Sequence, residues 1–394
     1  MNLFSKNFFK NKWYIFTIWM LLPIINWKLE FFRDRYNNYK IFRQVFFHSL
    51  DRLNLYNYYD KEYFDSNHYG PLFAIIIAPF AIMPDIWGSL LWSFFNAIVL
   101  FYTIFKMPLR HNFKILVAIL CTIEMANGMW SNQFNSIEAS FILLSFILVQ
   151  NNKNFWAPCF IVLGTFIKLY AIIGLAFFVF SNNKKMFVLG CVTWAIVLYV
   201  LPMLISSPQY VNTCYYDWYM SLVDKNNINV SLTSSTDASI MGMVRRLFQN
   251  ASIPNTPFIL TGVILFLLPF LRFSQYKFLS FRLLCLASSL MLIILLSSSS
   301  EHPSYIYPML GVSIWYLLLG ENKFKPINIF LLFFVLLIGG LGPTDVFGKP
   351  FRVWLINHSL KALPFTIVWI LILKDGLFRK FTNEIDADLT TDRY

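Results

Sequence analysis

Apolar positions in this chain neither alternate nor form a single amphipathic stripe; they run in long blocks separated by short polar stretches. The blocks fall at roughly 13–27, 71–83, 86–105, 113–128, 135–150, 155–181, 186–206, 256–272, 278–298, 303–319, 327–342 and 359–374. Blocks this long and this poor in charge predict membrane helices, because backbone polar groups in lipid must be satisfied within the helix itself. The predicted fold class is all-α: a polytopic membrane protein of about 10–12 transmembrane helices, forming a single integral membrane domain over 1–394. Composition agrees, since 57% of the 394 residues are hydrophobic, 19% aromatic and only 13% charged. No polar run exceeds about fifty residues, so a separate water-soluble catalytic domain has no place in the chain.

The net charge of +12 would suit nucleic acid or lipid. The basic residues, however, are dispersed over short connections: Lys106 and Arg110; Lys153; Lys184 and Lys185; Arg272 and Lys277; Lys323 and Lys325; Lys374, Arg379 and Lys380. No nucleic-acid motif accompanies them, so membrane lipids are the expected partners and nucleic acid is not. By the positive-inside rule these connections face the cytoplasm, whereas 128–134 and 298–303, which hold no lysine or arginine, face outward. The first helix has Lys6, Lys10 and Lys12 before it and Lys28, Arg33 and Arg35 after it, so alternation places its N-terminus inside. It lacks a small-residue cleavage pattern and reads as a retained helix.

Two blocks break the alternation. Residues 71–105 are long enough for two passes but must cross a net odd number of times, so 71–83 reads as partial or re-entrant. Residues 155–181 begin and end near cytoplasmic lysines, which implies a hairpin or broken helix with Lys168 pointing into the protein. Three sizeable outer regions then remain, 28–70, 207–255 and 343–358, and a site at the outer membrane surface is expected from their polar residues.

In the first of these, Ile41, Val45, Phe46, Ser49 and Leu50 recur at helical spacing, predicting an interfacial helix. Asp34 and Asn38 are four apart and would share one face, as a general base with an orienting amide or as a solvated turn. Asn127, Ser131, Asn132, Gln133 and Asn135 cluster near Glu124 and Glu138; such amides either hold sugar hydroxyls or cap and bridge helices. An ammonium at Lys168 calls for an anionic partner, phosphate or a membrane glutamate. Ile240, Met243, Val244 and Leu247 predict an amphipathic surface helix whose Arg245 and Arg246 would clamp a phosphate or touch lipid head groups. The run Glu301-His302-Pro303-Ser304-Tyr305 would bind a phosphate oxygen or shuttle a proton, or else simply start a helix. The five cysteines have no ligand spacing and no acidic cluster calls for a metal, so neither metal nor cofactor is expected. Nucleotide-hydrolase, zinc-protease and serine-hydrolase motifs are absent.

In chain order, His68-Tyr69-Gly70-Pro71-Leu72-Phe73-Ala74, Ala78-Pro79-Phe80-Ala81 ending at Pro84, Trp92 with Asn96, Gln133-Phe134-Asn135, Ile167-Lys168, Gly242-Met243-Val244-Arg245-Arg246 and Glu301 to Tyr305 resemble motifs of glycosyltransferase family 87. The resemblance runs from residue 13 to residue 375. That family contains polyprenyl-phosphate-mannose-dependent mannosyltransferases. The resemblance implies the multi-helix glycosyltransferase type of membrane fold, a polyprenyl-phosphate sugar donor, and a glycan or glycolipid acceptor at the outer face of the cytoplasmic membrane. It further implies that an outer-loop carboxylate deprotonates the acceptor hydroxyl, which displaces polyprenyl phosphate with inversion. Lys168, Arg245, Arg246 or His302 would receive the phosphate, and Tyr39, Tyr69, Gln133, Asn135 and Glu301 would bind substrate. One departure stands out. The family carries aspartate where this chain has Asn38, so the base would be Asp34, or else Asp51, Asp60 or Asp65, unless this branch is catalytically altered; Asp34 is the reading adopted. A flippase or transporter of lipid-linked sugars, or a non-catalytic relative, is the alternative; transporters commonly show internal repeats, and no convincing repeat is visible.

Overall fold

A computed structural model describes residues 11–234 and 236–391. Lys6 and Lys10, which entered the orientation of the first helix, lie outside the described residues. Among the described residues all regular structure is helical and no strand occurs. The chain divides into two compact units, one of Phe16–Lys106 with Ala126–Lys225, the other of Met1–Ile15, Met107–Met125 and Asn226–Tyr394.

The first unit takes most of α1 (Lys12–Phe31), then α2 (Asn37–Asp51), α3 (Phe73–Ala81) and α4 (Asp85–Lys106). It continues with the end of α5 (His111–Trp130), α6 (Asn135–Gln150), α7 (Ala157–Lys168), α8 (Lys184–Val200) and most of α9 (Pro208–Asn229). Helix α6 is apolar around nearly its whole circumference and is accordingly buried along it. Its neighbours are knit by aromatic side chains: Trp92 of α4 stacks on Phe134 with ring centres 6.1 Å apart, and Phe73 of α3 meets Phe134 edge-on at 5.5 Å. Phe42 of α2 contributes a third edge-to-face contact, to Phe73 at 4.9 Å. Such pairs add to the burial of large rings, so the start of α3 and the α5–α6 connection are held to one another rigidly. Helix α8 instead leaves Val188, Leu189, Val192, Ile196 and Val197 exposed, an apolar stripe suited to lipid.

The second unit continues with α10 (Ile240–Leu247), α11 (Thr256–Leu267), α12 (Leu279–Leu295) and α13 (Ile306–Leu318). Its remaining helices are α14 (Pro326–Phe334), α15 (Lys349–Asn357), α16 (Ala362–Phe378) and α17 (Asn383–Thr390). Helices α12 and α13 are buried over most of their lengths, and α16 packs against both.

By length and composition, Asp85–Lys106, His111–Trp130 and Lys184–Leu204 can each cross a membrane, and α15 with α16, bent by 54° between them, has the length and composition of a broken span or a re-entrant loop. Several other apolar blocks are present but shorter or interrupted. The block at 155–181 breaks as expected: α7 stops at Lys168, Leu169 turns left-handed, and the chain resumes as a 3-10 helix over Tyr170–Phe180. The block at 71–83 is reduced to the nine residues of α3, in keeping with a partial pass. Blocks 186–206 and 256–272 each tighten into a 3-10 turn at a proline, Pro202 and Pro269, whose missing N–H cannot continue the α ladder. The first helix runs to Phe31, beyond the expected end at residue 27.

Candidate active site

In the first unit, three short motifs far apart in sequence meet. Lys168, the last residue of α7, donates from Nζ to Asn135 Oδ1 at 2.6 Å, and Asn135 is the buried first residue of α6. The ammonium also lies 5.5 Å from the centre of the Tyr69 ring and 5.3 Å from that of Tyr170. Tyr69 in turn donates from its hydroxyl to Gln133 Oε1 at 3.1 Å. The backbone closes the same corner, because Gly70 N–H donates to the Ile167 carbonyl at 2.9 Å. A side chain at position 70 has no space, since its Cβ would stand 2.0 Å from the Phe166 carbonyl oxygen. Thus Tyr69, Gln133, Asn135 and Lys168 form one constellation of an ammonium, amides and a phenol, held between α3, α6 and α7.

Asn38 and Tyr39 flank this cluster on α2. Asn38 Nδ2 donates to the Ser131 carbonyl at 2.6 Å, and the buried Tyr39 donates to the Phe80 carbonyl at 2.9 Å. Gly88 of α4 admits Tyr39, since a Cβ there would fall 1.8 Å from its hydroxyl oxygen. The bond from Asn38 requires an amide. In Asn38→Asp a carboxylate would face the Ser131 carbonyl with no proton to share, so a destabilisation of about 1–3 kcal/mol is expected. Thermal unfolding in detergent measures it, and an unchanged midpoint would show the bond to be dispensable.

The shared helical face of Asp34 and Asn38 does not form. Helix α1 ends at Phe31, and Asp34 sits in a left-handed turn (φ 55°) before α2 begins at Asn37, so four-residue spacing carries no helical meaning there. The Asp34 carboxylate pairs with Lys40 Nζ at 2.6 Å, and its side chain is 75% exposed. Of the other candidates, Asp51 and Asp60 are exposed. The Asp65 carboxyl is held well below its ordinary range by the His68 imidazole 3.8 Å away, with Lys225 adding to the effect. On α2 the buried residues are Tyr39, Ile41, Phe42, Val45, His48 and Ser49, while Leu50, assigned to the apolar face, is exposed.

The second unit holds the remaining candidates. Arg245 and Arg246 are buried rather than displayed on a surface helix. Arg245 pairs with buried Asp237 at 2.5 Å and donates to the Ile253 carbonyl and Asn255 Oδ1. Arg246 donates to the carbonyls of Ser234, Thr236 and Asp237 and to the Ser359 hydroxyl. The reason is electrostatic: a loop that folds inward brings unpaired carbonyls with it, and two guanidinium forks satisfy them. The exposed apolar residues of this helix are Leu247 and the following Phe248. Glu301 caps the 3-10 turn His302–Tyr305 with Pro303 in its first turn, the helix-start reading of that run. Burial, with the Lys361 and Arg246 charges nearby, pushes the His302 imidazole down to about 3, so at neutral pH it is uncharged and offers a phosphate no cationic partner.

Sequence reasoning passed over Glu30 and Asn26 of α1 and the Lys361–Glu124 ion pair. Lys361 Nζ lies 2.8 Å from Glu124 Oε1, with both side chains fully buried, and donates also to the His302 carbonyl at 3.0 Å. The available signal was a charge inside an apolar block, the same signal that singled out Lys168.

Fold and site together define a polytopic helical membrane protein carrying a cluster of amides, a phenol and an ammonium where three of its helices meet. The sequence profile of glycosyltransferase family 87 matches residues 67–298. That is more than half of the chain, which therefore belongs to this family and is a membrane glycosyltransferase. None of the curated proteins matches it.

Proposed function

We propose that this glycosyltransferase moves a hexose such as mannose from polyprenyl phosphate to an envelope glycan or glycolipid, with inversion, at the outer face of the cytoplasmic membrane. In this reading 28–70 and 207–255 are the outer loops. The observation that carries it is the meeting of Lys168, Asn135, Gln133 and Tyr69: a cation for a phosphate leaving group beside amides for sugar hydroxyls. An acceptor hydroxyl attacks the anomeric carbon as the bond from that carbon to the phosphate oxygen breaks. Polyprenyl phosphate leaves with the electron pair, and a carboxylate of the 28–70 region takes the hydroxyl proton. The lipid tail of the donor accounts for chemistry housed among membrane helices.

The test uses the full chain in lipid nanodiscs, incubated with polyprenyl-phosphate mannose and a membrane glycolipid extract, with released polyprenyl phosphate as readout. Release that requires both donor and extract is expected. Donor binding without release would favour the flippase or non-catalytic reading instead.

A further inference from the structure

Glu30 sits in the last turn of α1 and is only 4% exposed, yet its Oε1 has no hydrogen-bond partner among the described residues. A carboxylate hidden from water without a donor is costly, and such groups are otherwise almost always satisfied. Glu30 lines a small cavity with Asn26, Tyr36, Ser89, Ser93 and Asn132, which leaves about 10 Å³ for the centre of a water-sized group. The walls are fixed. Asn26 Nδ2 is committed to the Ala126 carbonyl at 3.0 Å, Ser89 to the Asp85 carbonyl at 2.6 Å, and Ser93 to the Ser89 carbonyl and to Asn132 Oδ1. The cavity therefore presents an unpartnered acceptor, Glu30 Oε1, and an unpartnered donor, the indole N–H of Trp27, which also lines it, so its natural occupant is a group that both donates and accepts, as a hydroxyl does. It also adjoins the ammonium cluster through the chain, because Asn132 directly precedes Gln133 and Ser131 accepts from Asn38.

We infer that this cavity is a hydroxyl site and that Glu30 is the base that takes the proton of the acceptor sugar's attacking hydroxyl. The inference rests on the proposed transfer reaction and names its proton acceptor. The hydroxyl O–H breaks as its oxygen bonds to the anomeric carbon, the proton passes to Glu30 Oε1, and the phosphate leaves with its electron pair. Asp34, tied to Lys40 in the exposed turn, is not needed for the step.

Two measurements on the full chain in nanodiscs test this. With polyprenyl-phosphate mannose and glycolipid extract, Glu30→Gln is expected to lower kcat for polyprenyl phosphate release about a hundredfold. KM for the donor and the unfolding midpoint should stay unchanged. Glu30→Gln turning over normally, or losing rate only in step with lost stability, overturns the inference while leaving the transfer reading intact. The second measurement does not depend on turnover: dicyclohexylcarbodiimide, a hydrophobic carboxyl reagent, should label Glu30, as read by peptide mass spectrometry, and methyl mannoside should slow the labelling. If wild type releases nothing from this donor, protected labelling still supports the hydroxyl site and the failure belongs to the donor. A Glu30 that resists the reagent, or labels equally with and without the glycoside, overturns the site.

Discussion

Lys168→Met is expected to reduce release of polyprenyl phosphate by about 10²–10³-fold, the effect of removing one preorganised charge-stabilising donor from a protected site. The lysine is the terminal residue of α7, and its ammonium is fixed by Asn135 and bordered by the Tyr69 and Tyr170 rings. In the proposed reaction negative charge accumulates on the phosphate oxygen as the anomeric bond breaks, so a pre-placed cation would act more strongly on the transition state than on the bound donor. The loss should fall chiefly on kcat. Lys168→Arg, with a longer and flatter head group, should recover only part of it. Asn135→Ala should be milder, since the amide positions the ammonium without supplying charge. Full turnover in Lys168→Met, measured in nanodiscs with donor binding followed in parallel, would remove this cluster from the leaving-group role.

The second large effect concerns stability. Lys361→Met should lower the unfolding free energy by about 3–5 kcal/mol, because it takes the ammonium from a carboxylate that has no access to water. The exchange of both partners is the informative comparison: in Lys361→Met with Glu124→Leu no buried charge remains, and much of the loss should return, as isosteric apolar pairs in other proteins do. Unfolding followed by tryptophan fluorescence in detergent reads both variants. Equal destabilisation of the single and double variants would mean that the pair acts through packing rather than charge. A third variant, Glu124→Gln, keeps the shape and should fall between them.

These residues also mark what could be read from sequence. The break at Lys168 was legible because lysines at both ends of the 155–181 block force an even number of crossings, a constraint that does not depend on packing. The convergence of Tyr69, Gln133 and Lys168 came from motif order in the family resemblance, and the structure supplies the distances. What failed was local geometry. Four-residue spacing between Asp34 and Asn38 implies a common face only inside a helix, and the left-handed turn at Asp34 depends on where α1 stops. The adjacent arginines at 245 and 246 look like surface residues until Ser359, more than a hundred positions away, and the carbonyls of Ser234, Thr236 and Asp237 are brought to them. Glu30 was illegible for a related reason: it stands among basic residues at a helix end, and only the burial of its oxygen distinguishes it from a solvated flank.

The same break at Leu169 bears on how the protein is made. Ala157–Lys168 as an α-helix covers about 18 Å, short of a bilayer core of about 30 Å, so its end lies inside the membrane and the block enters as a hairpin with its 3-10 continuation. That places a lysine near the middle of the inserting segment, at about 2.5–3.5 kcal/mol, which the surrounding isoleucine, leucine, valine and phenylalanine residues offset at about 0.3–0.6 kcal/mol each. Entry into lipid is thus favourable, but it leaves an ammonium seeking an acceptor. Helix α6, synthesised just before, carries that acceptor in Asn135, so one polar contact directs the order in which inserted helices assemble.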